Sequence, residues 1–382
     1  MHTPFLAHGD SLGPRRARGA GTFGDASASL PRVVAERVPT ENAVAHDAAG
    51  RPGGDIRTPD DRLDAMPELD EFSFLPAQAA ALGAPVPPVS RVDLPLADGR
   101  RLSGLRWGDA PPAVTLLHGA GLNAHTWDTT LLHLGLPALA LDLPGHGDSS
   151  WRDDAAYVAR VLAPDVVSAL ETWTAGPQVL VGHSLGGLTA AAVAASRPDL
   201  VSRLVVVDIT PGVDPSAGPA QIRAFFAGPT DWASREELVE RALSFGLGGS
   251  PEAAARGVFL NSRVREDGRV EWKHHFAHLA AAAANAAAQD ATAPNAAADP
   301  TPPDAVRAVL ASTGWDDLSQ VEAPVTLVRG ERGFVTATDA DELRRRVPGA
   351  DVRTLATGHN AQEEDPTALA ALIREVVIDA SR

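Results

Sequence analysis

The stretch that decides the fold lies at residues 179–187 and reads VLVGHSLGG. Its three leading apolar residues predict a buried strand, and the small and apolar residues after the motif predict a helix over Leu185–Ser196. Gly182 and Gly186 lie two residues before and after Ser184, which lets the chain turn tightly from strand to helix and forces strained backbone angles on the serine. We therefore expect Ser184 at the amino end of a helix, where backbone N–H groups and the helix dipole point at the site.

Short apolar runs alternate with helical stretches on both sides of this turn. Asp98-Gly99 predicts a hairpin turn between the first two strands, and residues 155–173 predict a helix. The alternation predicts an α/β fold with a mostly parallel eight-stranded sheet and helices on both faces. The predicted strands are Arg91–Ala97, Arg101–Trp107, Ala113–Leu117, Ala138–Leu143, Gln178–Val181, Leu204–Val207, Val325–Val328 and Val352–Leu355.

The chain divides into an extension, a sheet domain and an insertion. Residues 1–65 lack a lasting apolar period, so we expect a disordered extension or a mis-assigned start ahead of Met66. Residues 66–210 and 321–382 form the predicted sheet domain. Residues 211–320 contain no clear core strand and are too long for an ordinary connection, so we predict a helical lid there. The lid's predicted parts are helices over 220–227, 235–245 and 251–260 and an Ala/Pro-rich piece, Ala280–Pro303, which we expect to be a mobile surface loop or an irregular helix.

The composition excludes several classes of function. A net charge of −16 disfavours binding to nucleic acid and to anionic lipid. The chain contains no cysteine, which excludes disulfides, thiolate metal sites and cysteine nucleophiles. No apolar run reaches the ~18–20 residues that a membrane helix needs. Because no export or anchoring segment is visible, we expect a cytoplasmic protein without a membrane partner.

Four motifs in order resemble the α/β-hydrolase fold superfamily, over about residues 90 to 378. The first, His118-Gly119-Ala120-Gly121, resembles the H-G-x-G loop that follows the third strand. Residues 142–149, DLPGHGDS, resemble the D-x-P-G-x-G-x-S segment after the fourth strand, and Gly182–Gly187 resembles the nucleophile elbow. Gly358-His359 is similar to the pair that supplies the catalytic histidine. The resemblance implies a serine-nucleophile hydrolase with a helical lid, similar to small esterases.

Two of these motifs supply a nucleophile and a base. A serine hydroxyl attacks a carbonyl only when a base removes its proton, so we predict Ser184 as nucleophile and His359 as base. The resemblance implies the same roles. His183 adjoins the nucleophile, and we expect its side chain to pack inside the protein.

The third member of the triad is ambiguous in the sequence. A carboxylate must orient the histidine, and the family usually carries it on the last residue of G-x-x-D after strand seven. Here that segment reads Gly330-Glu331-Arg332-Gly333, with glycine in place of aspartate. Asp208 ends strand six in the segment VDITP, where some small esterases of the family carry their acid. We favour Asp208 and keep Glu331 and Asp339 as alternatives.

An oxyanion hole is implied by the same resemblance. We expect its two donors to be the backbone N–H groups of Leu185 and Ala120, with His118 as a structural hydrogen-bonding residue. We also expect substrate contacts from residues after the H-G-x-G loop and from aromatic residues of the lid. These pocket candidates are Asn123, His125, Trp127, Phe225, Phe226, Trp232, Trp272 and His275.

The sequence therefore predicts a serine hydrolase that cleaves a carboxylic ester or thioester of a small acyl compound through an acyl-enzyme. It implies no metal and no organic cofactor. Three alternatives remain open, because one fold and one triad serve several chemistries. They are an acyltransferase, a hydrolase of carbon–carbon bonds, and a ligand-binding protein that keeps the serine without catalysis.

Overall fold

The computed structural model describes residues 69–214, 224–282 and 314–382. The predicted extension at 1–65, part of the predicted helix 220–227 and most of the predicted loop Ala280–Pro303 lie outside the described residues.

Eleven strands belong to the described residues. They are β1 (Val89–Pro95), β2 (Arg101–Trp107), β3 (Val114–Leu117), β4 (Ala138–Asp142), β5 (Gln178–His183), β6 (Val201–Val207), β7 (Asp231–Trp232), β8 (Ser262–Val264), β9 (Val270–Trp272), β10 (Val325–Gly330) and β11 (Asp351–Leu355).

Ten α-helices can be given residue bounds in the described part of the chain. They are α1 (Leu75–Ala81), α2 (Asp128–Leu134), α3 (Ala159–Trp173), α4 (Leu185–Ser196), α5 (Arg235–Ser244), α6 (Pro251–Asn261), α7 (Gly314–Gln320), α8 (Ala337–Arg346), α9 (Ala361–Glu364) and α10 (Pro366–Ala380). Two 3₁₀ turns, Ala124–Trp127 and Pro198–Leu200, precede α2 and β6. Residues 224–226 and 276–282 are also helical.

Eight of the strands form one sheet in the order β1-β2-β4-β3-β5-β6-β10-β11. Strand β2 is antiparallel to its neighbours β1 and β4, and every other pair is parallel. The predicted mostly parallel eight-stranded sheet is confirmed, and the predicted turn at Asp98-Gly99 joins β1 to β2.

Helices cover both faces of this sheet, as predicted. Along β5, Leu180 belongs to one apolar core and its neighbours Val179 and Val181 belong to the other. The first core includes residues of α3 and α4, and the second includes residues of α2 and α10. A strand that is buried on both faces reads as a continuous apolar run, which is why β3, β4 and β5 were visible in the sequence.

The strand register brings the carboxyl ends of four neighbouring strands together. Leu117 pairs with Gly182 between β3 and β5, and His183 pairs with Val207 between β5 and β6. Val207 pairs in turn with Val328 of β10. The residues that follow these strand ends therefore meet at one edge of the sheet, which is where open α/β sheets place their ligand sites.

The interval predicted as a lid differs from the prediction in two respects. It contains α5 and α6 close to the predicted bounds, but strands β7, β9 and β8 also pair there as a small antiparallel sheet. Each of these strands has two or three residues, too few for an apolar pattern to indicate. In addition, α7 packs against α4 and belongs to the core of the sheet domain, because Leu318 is buried there. Residues Pro67–Arg382 form one compact unit.

No helix among the described residues is long and apolar enough to cross a membrane.

Candidate active site

Ser184 lies in a strained turn between β5 and α4. Its backbone has φ 53° and ψ −121°, and among the described non-glycine residues only Ala155 and Asp208 share a positive φ. Such angles cost of order 1–3 kcal/mol and persist only where the surroundings impose them. The turn is tight enough that a Cβ atom on Gly182 would lie 2.2 Å from the carbonyl oxygen of Gly186. The glycines of the motif are therefore required by close backbone approach.

The first turn of α4 faces Ser184 with backbone donors. The Ser184 carbonyl accepts from the N–H groups of Gly187 at 2.8 Å and Leu188 at 3.2 Å. The N–H of Leu185, one residue after the serine, has no acceptor among the described residues. This N–H is available to a negative oxygen that develops on a substrate next to Ser184.

The loop after β3 carries the second predicted oxyanion donor. A Cβ atom on Gly119 would lie 3.1 Å from Ser184 Cβ, so this loop lies against the serine. The Gly119 carbonyl accepts from His118 Nδ1 at 2.8 Å and from the N–H of Leu122 at 3.1 Å. Because the N–H of a trans peptide lies in the peptide plane and points opposite to the carbonyl, the N–H of Ala120 points away from these two donors. That N–H has no acceptor in the part of the chain that the structure describes.

His118 holds this loop to the end of β4. Its Nε2 accepts from the N–H of Leu143 at 2.9 Å, so Nδ1 is the donor to Gly119 and the tautomer is fixed. Burial lowers the pKa of His118, which keeps the ring neutral. The side chain is fully buried. Its contacts match the structural role expected for it.

Asp208 and His359 form a hydrogen-bonded pair. His359 Nδ1 lies 2.8 Å from Asp208 Oδ2 and, because the carboxylate accepts, Nδ1 is the donor. Asp208 is fully buried and also accepts from the backbone N–H groups of Gly330 at 2.9 Å and Phe334 at 2.6 Å. These bonds fix the carboxylate, and they leave His359 Nε2 as the ring nitrogen that can accept a proton.

The glycine at position 333 fits against this carboxylate. A Cβ atom there would lie 2.2 Å from Asp208 Oδ2 and 2.4 Å from its Cγ. No side chain larger than hydrogen can therefore occupy position 333 while Asp208 holds its present place. The aspartate after β6 therefore requires a glycine at position 333 in the loop after β10.

The two other candidate acids lie elsewhere. The side chain of Glu331 is exposed and makes no hydrogen bond with His359 among the described contacts. Asp339 caps helix α8, where its Oδ2 accepts from the N–H of Thr336 at 2.8 Å and from its hydroxyl at 2.7 Å. Of the three carboxylates, the structure brings Asp208 to His359.

His183 ties the histidine loop to the residue before Ser184. Its Nε2 donates to the carbonyl oxygen of His359 at 3.0 Å, and the two ring centroids are 4.5 Å apart. Burial, and then the charge of His359, hold the pKa of His183 well below its usual value, so the ring stays neutral. No hydrogen bond joins Ser184 Oγ to His359 among the described residues. Catalytic hydrogen bonds without substrate are often long and tighten in the complex.

Two parts of the predicted lid contact the loop after β3. Gly121 has φ 77°, and a Cβ atom there would lie 2.2 Å from the ring of Phe226. Asn261 Nδ2 donates to the Gly121 carbonyl at 2.6 Å, and Asn123 Nδ2 donates to the Leu260 carbonyl at 2.9 Å. Phe226 and Asn123, both predicted to line the pocket, therefore join the lid to this loop.

Two other predicted pocket residues have structural roles. Trp127 is fully buried in the core. His125 contacts Asp128 at 3.0 Å and Glu71 at 3.1 Å. Burial opposes its protonation, but the two carboxylates outweigh burial and raise the pKa of His125 to about 9. For Glu71, burial is likewise outweighed by hydrogen bonds with His125 and Arg91, which lower the pKa to about 2.

Sequence reasoning missed Glu71, Arg91 and Phe334. Arg91 Nη1 lies 2.8 Å from Asp142 Oδ2 and its Nε lies 2.9 Å from Glu71 Oε2, so it joins the amino-terminal segment to the turn after β4. Phe334 stacks on His359 with ring centroids 3.5 Å apart. None of the three belongs to a recognisable motif. Among the described side chains, no group of three or more His, Cys, Asp or Glu could hold a metal ion.

Comparisons with known proteins give consistent results. The model of the alpha/beta hydrolase family matches residues 116–372. Esterase Rv0045c of Mycobacterium tuberculosis is 36% identical over 326 residues, which cover 82% of this chain and 98% of that protein. The mouse (Mus musculus) sn-1-specific diacylglycerol lipase ABHD11 is 35% identical over 187 residues, 45% of this chain and 58% of the lipase. The crystal structure of Rv0045c superposes with a TM-score of 0.64 and 35% identity, covering 82% of this chain and 99% of that one.

Proposed function

This chain belongs to the alpha/beta hydrolase family and is a hydrolase, and on that premise we propose that it cleaves a carboxylic ester or thioester through an acyl-enzyme on Ser184. One observation carries the proposal: the positive-φ Ser184 and the buried Asp208 follow the neighbouring strands β5 and β6, and the chain after β11 brings His359 to Asp208. A relative named as an esterase, matched over 98% of its length, supports the ester as substrate class.

The first chemical step uses Ser184, His359 and Asp208. Ser184 Oγ attacks the substrate carbonyl carbon while its proton passes to His359 Nε2. Asp208 accepts the hydrogen bond from Nδ1–H, which keeps the ring in the tautomer whose Nε2 is free and stabilises the imidazolium that forms. The imidazolium then gives its proton to the departing alkoxide or thiolate, and the acyl group stays on Ser184.

Hydrolysis of the acyl-enzyme repeats these roles with water as the nucleophile. His359 Nε2 takes a proton from water, whose oxygen attacks the ester carbonyl, and the proton returns to Ser184 Oγ as the acid departs. In both steps the N–H groups of Leu185 and Ala120 receive the oxyanion. Removing one aimed donor of this kind costs about 2.7–4 kcal/mol of barrier.

Active-site labelling tests the proposal directly. We expect a fluorophosphonate probe to label the folded wild-type protein and to leave Ser184→Ala unlabelled. Ser196→Ala is a matched control, because Ser196 lies at the other end of α4 and bonds only to backbone carbonyls. A panel of p-nitrophenyl esters of increasing acyl length, hydrolysed by wild type and not by Ser184→Ala, then measures the acyl preference. Folded wild-type protein that neither labels nor hydrolyses any ester would instead support a ligand-binding protein.

A further inference from the structure

We propose that Phe334 is a positioning residue of this reaction, whose ring holds the His359 imidazole in place and favours the imidazolium formed during acylation. This inference rests on the proposed function, because His359 becomes charged only if it acts as the base. Phe334 follows Gly333, in the loop where the family usually carries its acid. Neither its residue type nor its place in a motif assigns it this role.

The geometry of the two rings carries the inference. The centroids of Phe334 and His359 are 3.5 Å apart and the ring planes differ by 11°, which is parallel stacking. His183, the other ring in contact with His359, is tilted by 48° at 4.5 Å. Phe334 is therefore the described ring whose face lies flat against the imidazole. Rotation of the imidazole about its side-chain bonds would lose this contact as well as the bond to Asp208.

Phe334 also takes part in holding the acid. Its backbone N–H donates to Asp208 Oδ2 at 2.6 Å, the same oxygen that accepts from His359 Nδ1 at 2.8 Å. One residue therefore contacts the carboxylate through its main chain and the imidazole through its ring. The backbone bond places the ring, because it fixes where the side chain of residue 334 begins. A substitution at 334 keeps the N–H and changes only the ring.

The charge that develops on His359 gives the ring a chemical effect. The face of a benzene ring carries negative potential and attracts a cation, more strongly where water is excluded. The His359 side chain is only 11% exposed. Among the described contacts, the ionisable groups that touch His359 are the Asp208 carboxylate and neutral His183. Glu364 accepts from the N–H of the preceding residue, Gly358, and pairs with Arg332. No second ring face among the described residues offsets the loss of Phe334.

Substitutions that separate the ring's shape from its charge distribution test this role. We expect Phe334→Leu to lower kcat about 5- to 30-fold with KM changed less than twofold. We expect the acidic limb of its kcat/KM profile to move about 0.4–1 pH unit toward lower pH, because the imidazolium is no longer favoured. Phe334→Tyr, which keeps the ring, should restore both quantities to near wild type. Phe74→Leu is the control, since Phe74 precedes α1, its ring packs against Phe259 of α6, and it makes no ring contact with His359 among the described residues.

A second measurement covers the case in which Phe334→Leu fails to fold. Pentafluorophenylalanine at position 334 keeps the shape of the ring and reverses the sign of the potential on its face. We expect the same loss of kcat and the same shift of the acidic limb. A wild-type kcat in either protein, or a loss of kcat with the acidic limb unmoved, overturns the inference. Failure of the wild-type protein to label at Ser184 would overturn the proposed function instead, so the two failures are distinguishable.

Discussion

Replacing Asp208 with asparagine perturbs the site most sharply, because the change is one atom in a fully buried group. The carboxylate accepts three hydrogen bonds: Oδ1 from the N–H of Gly330, and Oδ2 from the N–H of Phe334 and from His359 Nδ1. An asparagine has one accepting oxygen and one donating nitrogen. Whichever way the amide is oriented, its NH₂ group faces at least one backbone N–H.

The two orientations of the amide differ in their effect on His359. With the NH₂ group at the Oδ2 position, Nδ1 must accept rather than donate, so the proton moves to Nε2 and the base is lost. With the NH₂ group at the Oδ1 position, the bond to His359 survives, but the N–H of Gly330 loses its acceptor. One unpaired buried group costs about 1–3 kcal/mol of unfolding free energy, and the first orientation leaves the wrong tautomer. In either orientation the imidazolium loses its counter-charge. We therefore expect a fall in kcat of about 10⁴-fold, the size found for this change in the triad template.

The assay for Asp208→Asn is steady-state hydrolysis of the best p-nitrophenyl ester, with urea denaturation measured on the same protein. Glu331→Gln is the matched control, because it makes the same change to the exposed carboxylate of the neighbouring loop. We expect this control to keep wild-type kcat. If Asp208→Asn stayed within tenfold of wild type while Glu331→Gln lost activity, our assignment of the acid would be wrong.

Three further perturbations have defined outcomes. In an Asp208→Gly background, Gly333→Asp should raise kcat for p-nitrophenyl ester hydrolysis at least tenfold, because a Cβ on residue 333 points at the vacated carboxylate position. A kcat no higher than that of Asp208→Gly alone would contradict this exchange of the acid. The unfolding free energy of the wild type should fall as pH rises from about 6.5 to 9, because His125 loses the proton that two carboxylates stabilise. In urea titrations at pH 6 and 9, Glu71→Gln should reduce this fall by about 1–2 kcal/mol. An equal fall in both proteins would show that Glu71 does not stabilise protonated His125. Gly121→Ala should lower kcat/KM at least tenfold, because the φ of 77° and the 2.2 Å approach of a Cβ to the ring of Phe226 both exclude a methyl group. An unchanged kcat/KM would show that the lid does not constrain the loop after β3.

The parts of the fold that sequence predicted are those with strong local signals. Helix α4 has the predicted ends, Leu185–Ser196, because a glycine-rich turn precedes it and Pro198 follows it. The core strands were visible as apolar runs. Strands β7, β8 and β9 were not, because two or three paired residues leave no period to detect and their pairing depends on distant chain segments.

The candidate site divides in the same way. Ser184 and His359 could be proposed from the sequence, because both lie in motifs whose glycines report the backbone geometry. His125 and Trp127 were predicted to line the pocket, and they are instead an ion-paired side chain and a core residue. The environment of His125 depends on Glu71, which lies 54 residues earlier in the chain and which no local pattern connects to it.

The position of the acid shows why spacing along the chain left alternatives open. Strands β6 and β10 are neighbours, and Val207 pairs with Val328, so the residues that follow them approach the same point from two sides. A carboxylate can reach His359 from either strand, and the sequence distance to the histidine does not distinguish the two routes. The two routes are distinguished by steric exclusion, because a side chain at position 333 would occupy the space that the Asp208 carboxylate fills. Gly333 stands where the family usually carries its aspartate, and a glycine is what an acid at position 208 requires there. The two positions are informative only when they are considered together.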